Sequence, residues 1–151
     1  MPKMQINNII ITSVDFSLNN DFNPDEKVDF SFNVSISSGD QQESKLVDSL
    51  VVVNTPKKED AANLPFYFSV TGRGIFSFSE ELTEKEIDLF KNINCPAIVF
   101  PYIREQVADL TRRSGFPPLH LPPVNFVKMH KENSKKDDNA VDLRNPFSIQ
   151  S

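Results

Sequence analysis

Between residues 27 and 37 the chain reads KVDFSFNVSIS, a strict alternation of apolar and polar side chains. Val28, Phe30, Phe32, Val34 and Ile36 point one way and Asp29, Ser31, Asn33, Ser35 and Ser37 the other. That pattern predicts an antiparallel strand with one wet face. Ahead of it, QINNIIITSVDF (residues 5–16) is rich in β-branched side chains and predicts a first strand. SGDQQES reads as a turn, KLVDSLVVVNT as a third strand and the charged PKKEDAANLP as a loop. A fourth strand follows in FYFSVTGRGIFSF (66–78), with Phe66, Phe68, Val70, Phe76 and Phe78 on one side. Gly72 and Gly74 fall in that same row, where a glycine marks a bulge or a close backbone approach.

The period then changes. In LTEKEIDLFKNIN, Thr83 and Glu86 have the spacing of a capping box, and Ile87, Phe90 and Ile93 form a stripe. The next run, CPAIVFPYIREQVADLTRRSG, puts Ile103, Val107 and Leu110 on one helical face, with Pro101 suited to a first turn. Arg112 and Arg113 suit its last turn, and Gly115 is the expected C-cap glycine. Strands first and helices after predict an α+β domain: a four-stranded antiparallel sheet with two C-terminal helices on one face. No internal repeat is visible. The domain is expected over residues 1–130, followed by a flexible polar tail, 131–151, whose charges balance at four of each sign. Its large apolar residues, Val141, Leu143, Phe147 and Ile149, are scattered.

Between domain and tail lies FPPLHLPPVNF (116–126), with four prolines and no charge. It suits neither a regular helix nor a central strand. Pro117, Pro118, Pro122 and Pro123 stiffen it and remove amide donors. Such a stretch either packs over the core as an ordinary connection or holds an apolar groove open for an extended chain.

Composition narrows the function by exclusion. A net charge of −5 with pI near 5.0, and no Lys/Arg cluster, disfavours a nucleic-acid partner. Cys95 is the single cysteine, so no internal disulfide forms, which fits a reducing compartment. MPKMQINN lacks an apolar signal core, and no run approaches a membrane span, so a cytoplasmic protein is expected. No catalytic or metal site is expected. His120 and His130 have no Cys or acid at ligand spacing. Cys95 reads as small buried filler before a proline, and TGRG lacks the rest of a dinucleotide fingerprint. With no cofactor site either, what remains is an excess of apolar surface, including thirteen phenylalanines and no tryptophan.

Over residues 66–126 the residues carry a resemblance. Gly74, Ile75 and Phe76 are followed by Cys95, Pro96, Phe100, Pro101, Tyr102, Arg104 and Glu105. Phe116, Pro117, Leu119, Leu121, Pro123, Val124, Asn125 and Phe126 then complete the pattern. These elements, with DFNP at 21–24, resemble the bacterial protein-export chaperone family SecB. The first two strands match loosely and the tail does not match. The resemblance implies a dimer of dimers, a homotetramer acting as an ATP-independent holdase. Its clients would be unfolded polypeptides, including preproteins for export, bound in apolar grooves. It implies a groove between the first crossover loop, the second helix and the segment after it, with Phe22, Leu119, Leu121, Val124 and Phe126 at the client surface. Phe68 and Val70 would serve subunit assembly, although the residues alone read equally as core.

The family's acidic docking positions for the export motor SecA are occupied here by Ser13, Ser17 and Ser69. Losing those carboxylates weakens charge-steered docking. A general or preprotein-directed chaperone therefore stands beside an alternative: a dedicated chaperone of one partner, such as the antitoxin of a toxin–antitoxin pair.

Overall fold

The computed structural model describes residues 4–139 except 29, 42 and 80, with side chains described up to 133. Four antiparallel strands form one sheet: β1 (Met4–Leu18), β2 (Asn33–Gln41), β3 (Leu46–Asn54) and β4 (Phe66–Phe78), in the order β1-β4-β3-β2. Helix α1 (Glu84–Leu89) runs through a π-helical turn (Phe90–Asn94) into α2 (Cys95–Arg113), and α3 (Phe126–Asn139) follows the proline-rich segment. The α+β class, the antiparallel sheet and its pairing with one long and one short helix match expectation. The third helix is additional: α3 carries helix past residue 130, to Asn139. Residues 140–151, with Val141, Leu143, Phe147 and Ile149, lie outside the described residues.

Burial follows the period of two along β4, where every even-numbered residue from Phe66 to Phe78 is buried and every odd one is partly exposed. Val47, Val51 and Val53 of β3 join that row under α2, whose own contribution is Val99, Phe100, Ile103 and Val107. The two glycines of the row resolve to a close approach rather than a bulge. A Cβ at Gly74 would lie 2.7 Å from Val99 Cγ2 and 2.5 Å from the Phe76 ring, and one at Gly72 would lie 3.0 Å from Ile103. Their missing side chains let α2 sit directly on the sheet.

The bulges are on β1 instead, where pairing slips between Ile6 and Asn8 and between Ile11 and Ser13. The slips keep Met4, Ile6, Ile9, Ile11, Val14, Phe16 and Leu18 opposite the even-numbered row of β4, on the helix side. Helix α2 lies over β3 and β4 and barely reaches β1. Ile6 (48%), Val14 (44%) and Leu18 (48%) are consequently exposed along a sheet edge.

Three local expectations are corrected. The β2 alternation holds only from Asn33; Val28, Phe30 and Phe32 precede the strand. The turn after it is tighter than SGDQQES, since Gly39, Asp40 and Gln41 still pair with β3 and the chain reverses near Lys45, at φ 53°. Pro101 is an interior residue of α2, six residues past its start, while Pro96 takes the N-terminal position. Pro101 is exposed, so the carbonyl one turn before it meets solvent instead of an orphaned interior. Thr83 and Glu86 do form the capping box, with reciprocal bonds of 3.2 Å.

One buried polar atom stands out. Ser49 on β3 is fully buried beneath the helices, and its hydroxyl is without a hydrogen-bond partner. Because a buried hydroxyl without a partner costs desolvation with no return, Ser49→Ala is expected to raise stability by about 1 kcal/mol. Chemical denaturation measures this; a loss of similar size would show that the hydroxyl is satisfied.

Candidate functional site

The C-terminus of α2 determines how the proline-rich segment leaves the helix. Gly115 takes φ 90°. Its N–H donates to the Arg112 carbonyl, and the Phe116 N–H donates to the Thr111 carbonyl, both at 3.2 Å. This is a Schellman ending with glycine at its left-handed position, as the sequence predicts. It turns Phe116 back onto the sheet, where its ring meets Phe66 at 5.3 Å. The segment then alternates: Leu119 is half-buried, Leu121 and Phe126 are buried, Val124 is half-buried, and the prolines, His120 and Asn125 face solvent. Phe126 packs against Phe100 at 6.0 Å.

Of the residues expected at the client surface, the structure thus brings together Leu119, Leu121, Val124 and Phe126. It buries two of them: Leu121 is 2% and Phe126 5% exposed, so these hold the segment down, and only Leu119 and Val124 retain accessible surface. Phe22 is elsewhere. It is half-buried in the loop after β1, and that loop is tied to residues 57–65. Asn19 donates to the carbonyls of Ala62 (3.0 Å) and Leu64 (2.8 Å), and the Asn63 side chain accepts the Asn23 N–H and donates to the Asn23 carbonyl. Lys58 pairs with Asp21 at 2.9 Å, which draws the Asp21 carboxyl below its ordinary range.

The aromatic residues around Phe116 come from β1 (Phe16), the crossover (Phe30) and the start of β4 (Phe66 and Phe68). Phe30 meets Phe66 at 5.7 Å and Phe68 at 6.5 Å, and Phe16 stacks on Phe66 at 5.6 Å. With Phe116 they make a five-ring cluster in which Phe66 and Phe68 are buried while Phe16, Phe30 and Phe116 keep one edge accessible. The alternation of residues 28–36 predicts a strand for Phe30, and nothing in the pattern singles out Phe16. The phenylalanine excess was the available signal, but it carries no positions. Phe68 and Val70, expected at a subunit interface, are 4% and 0% exposed beneath the chain's own helices.

Serines 13, 17 and 69 lie together on the opposite, open face of the sheet. Ser17 and Ser69 line a cleft of about 430 Å³ with Asp15, Lys57, Lys58 and Tyr67. Elsewhere on that face Arg73 grips Asp48 through two nitrogens, with Nε 2.9 Å from Oδ1. The charges here nearly cancel.

The family model described as preprotein translocase subunit SecB matches residues 1–137. The chain belongs to the SecB family. The protein-export protein SecB of Neisseria gonorrhoeae is 34% identical over 113 residues, 74% of this chain and 76% of its own length. An uncharacterized protein of Methanocaldococcus jannaschii is 30% identical over 144 residues, 89% of this chain and 92% of its own. Among solved structures, a Mycobacterium tuberculosis SecB-like chaperone in complex with an antitoxin peptide superposes with TM-score 0.64. It is 18% identical, over 80% of this chain and 90% of that one.

SecB-family proteins are chaperones, not enzymes. Burial pushes the Cys95 thiol up to about 12, so it stays protonated at neutral pH. Among the described residues no group of three or more His, Cys, Asp or Glu is placed to hold a metal. None of their helices is long and apolar enough to cross a membrane.

Proposed function

We propose that this SecB-family chaperone is an ATP-independent holdase, working in the cytoplasm, whose client surface is the half-covered aromatic cluster and the proline-rich segment beside it. The observation that carries the reading is a set of half-buried apolar side chains, Phe16, Phe30, Phe116, Leu119 and Val124, each packed on the core and each keeping accessible surface. A stiff segment with few free amides offers apolar contact without inviting sheet extension. Binding only the unfolded form of a client draws it away from aggregation by mass action. Leu121 and Phe126 serve this surface from beneath.

Assembly into a dimer of dimers enters the same proposal through β1. Its outer edge is unpaired over fifteen residues, and its helix-side row is apolar and exposed. Edges of that length are covered in stable soluble proteins. Phe68 and Val70 would support this interface from the adjacent strand.

Clients fall into two groups. Preproteins for export suit the family, but the near-neutral open face, with serines at 13, 17 and 69, offers a SecA-type motor little charge to dock on. That face favours the second reading, a chaperone dedicated to one partner such as an antitoxin. Titration against several aggregating unfolded proteins tests the general holdase. Suppression is expected at roughly one assembly per client chain, with binding that shows a negative heat-capacity change. Suppression of none of them, with tight binding of one cognate chain, would establish the dedicated reading; no binding at all would remove both.

A further inference from the structure

Thr111, in the last turn of α2, is fully buried and bonded in three directions. Its hydroxyl donates to the carbonyl of Val107 (2.9 Å) or Ala108 (3.1 Å) and accepts the N–H of Leu119 at 2.9 Å. Its carbonyl takes the Phe116 N–H at 3.2 Å. One residue thus receives both amides that tie the start of the proline-rich segment to the helix. The segment has few others to offer, since four of its residues are prolines without N–H groups. Beyond Leu119, the next anchors are the side chains of Leu121 and Phe126.

We propose that Thr111 is a positioning residue for client binding: through Leu119 it holds the proline-rich wall at a fixed height above the aromatic cluster. The inference rests on the client reading above. A wall fixed before the client arrives loses no freedom on binding. A wall released from Thr111 must be ordered by the client itself, which lowers affinity without removing any contact surface.

Two variants separate positioning from bulk stability. Thr111→Val keeps the shape and removes the acceptor, leaving the part-buried Leu119 amide without its partner. Thr111→Ser keeps the hydroxyl and gives up a methyl, so it lowers melting temperature through packing. The probe is reduced, carboxymethylated α-lactalbumin, with affinity, dissociation rate and amide exchange measured on the full chain. Thr111→Val is expected to weaken binding roughly tenfold, mostly by faster dissociation, and to speed exchange at Leu119, His120 and Leu121. Thr111→Ser is expected to bind within about twofold of the natural protein despite its lower melting temperature. Equal affinity and equal exchange in the two variants would overturn the inference. Should Thr111→Val fail to fold, Thr111→Ala, which also removes the acceptor, takes its place beside Thr111→Ser: weaker binding and faster Leu119 exchange in Thr111→Ala than in Thr111→Ser support the inference, and equality overturns it. If the natural protein binds nothing, the client reading fails, and the exchange comparison still decides whether Thr111 fixes the segment.

Discussion

Gly74→Ala is expected to cost about 3 kcal/mol and to lower the melting temperature by about 10 °C. The added carbon would sit 2.7 Å from Val99 on α2 and 2.5 Å from the ring of Phe76. Neither neighbour has room to yield, as Val99 and Phe76 are both fully buried. The helix must rise, and rising opens the core beneath Ile103 and Val107. Gly72→Ala meets Ile103 and Val99 side chains at 3.0 Å, a contact that gives by a few tenths of an ångström, and should cost less than half as much. Gly74→Val should yield no soluble protein. Thermal melts of the two alanine variants give the order directly. If Gly74→Ala melts with the natural chain, α2 does not rest on β4 as described.

The second large effect concerns β1. Val14→Asp combined with Leu18→Asp is expected to leave the chain folded, because both side chains are already more than two-fifths exposed. It should weaken self-association at least roughly a thousandfold, since each change removes a buried aliphatic contact and places an unpaired carboxylate in the interface. Light scattering across a concentration series should then report single chains where the natural protein gives a multimer. An unchanged mass with impaired client capture would hand this row to clients instead of to a second subunit. No change in either would leave the exposed row without a role and sink the assembly proposal.

The parts of the fold legible in the sequence are those set by local pattern. β4 begins and ends where its alternation does, and the capping box and the glycine ending of α2 are where their residues stand. What was misread depended on distant partners. Phe30 and Phe32 alternate as a strand would, but β3 ends at Asn54. Thr55 bonds Phe68 on the β4 side through both backbone and hydroxyl, and the β2–β3 ladder stops at the Asn33–Asn54 pair, so residues before 33 have no partner on β3. Asp40 was read as a turn residue, yet it lies on the helix side of β2 and is held at 2.9 Å by Lys91 of the π-helical turn. Helix α3 had a signal that charge obscured: Phe126, Met129, His130 and Asn133 recur at helical spacing. His130 reaches Asp88 on α1 at 3.0 Å. The candidate site was legible as a segment but not as a surface. The motif located Leu119 to Phe126, while which of these face outward is decided by the Thr111 bond and the Phe100 ring.

The two slips in β1 bear on how this strand changes in length over evolution. Asn7 and Thr12 are the residues without an opposite number on β4. Losing either one leaves every other pairing and every facing direction intact, so a one-residue gap at position 7 or 12 is nearly silent. A gap between positions 15 and 18 moves Val14 by one face, sending it to the open side and Ser13 beneath the helices. Alignments of related chains across β1 therefore have two places where a gap belongs, and gaps drawn elsewhere misassign which residues are greasy on purpose.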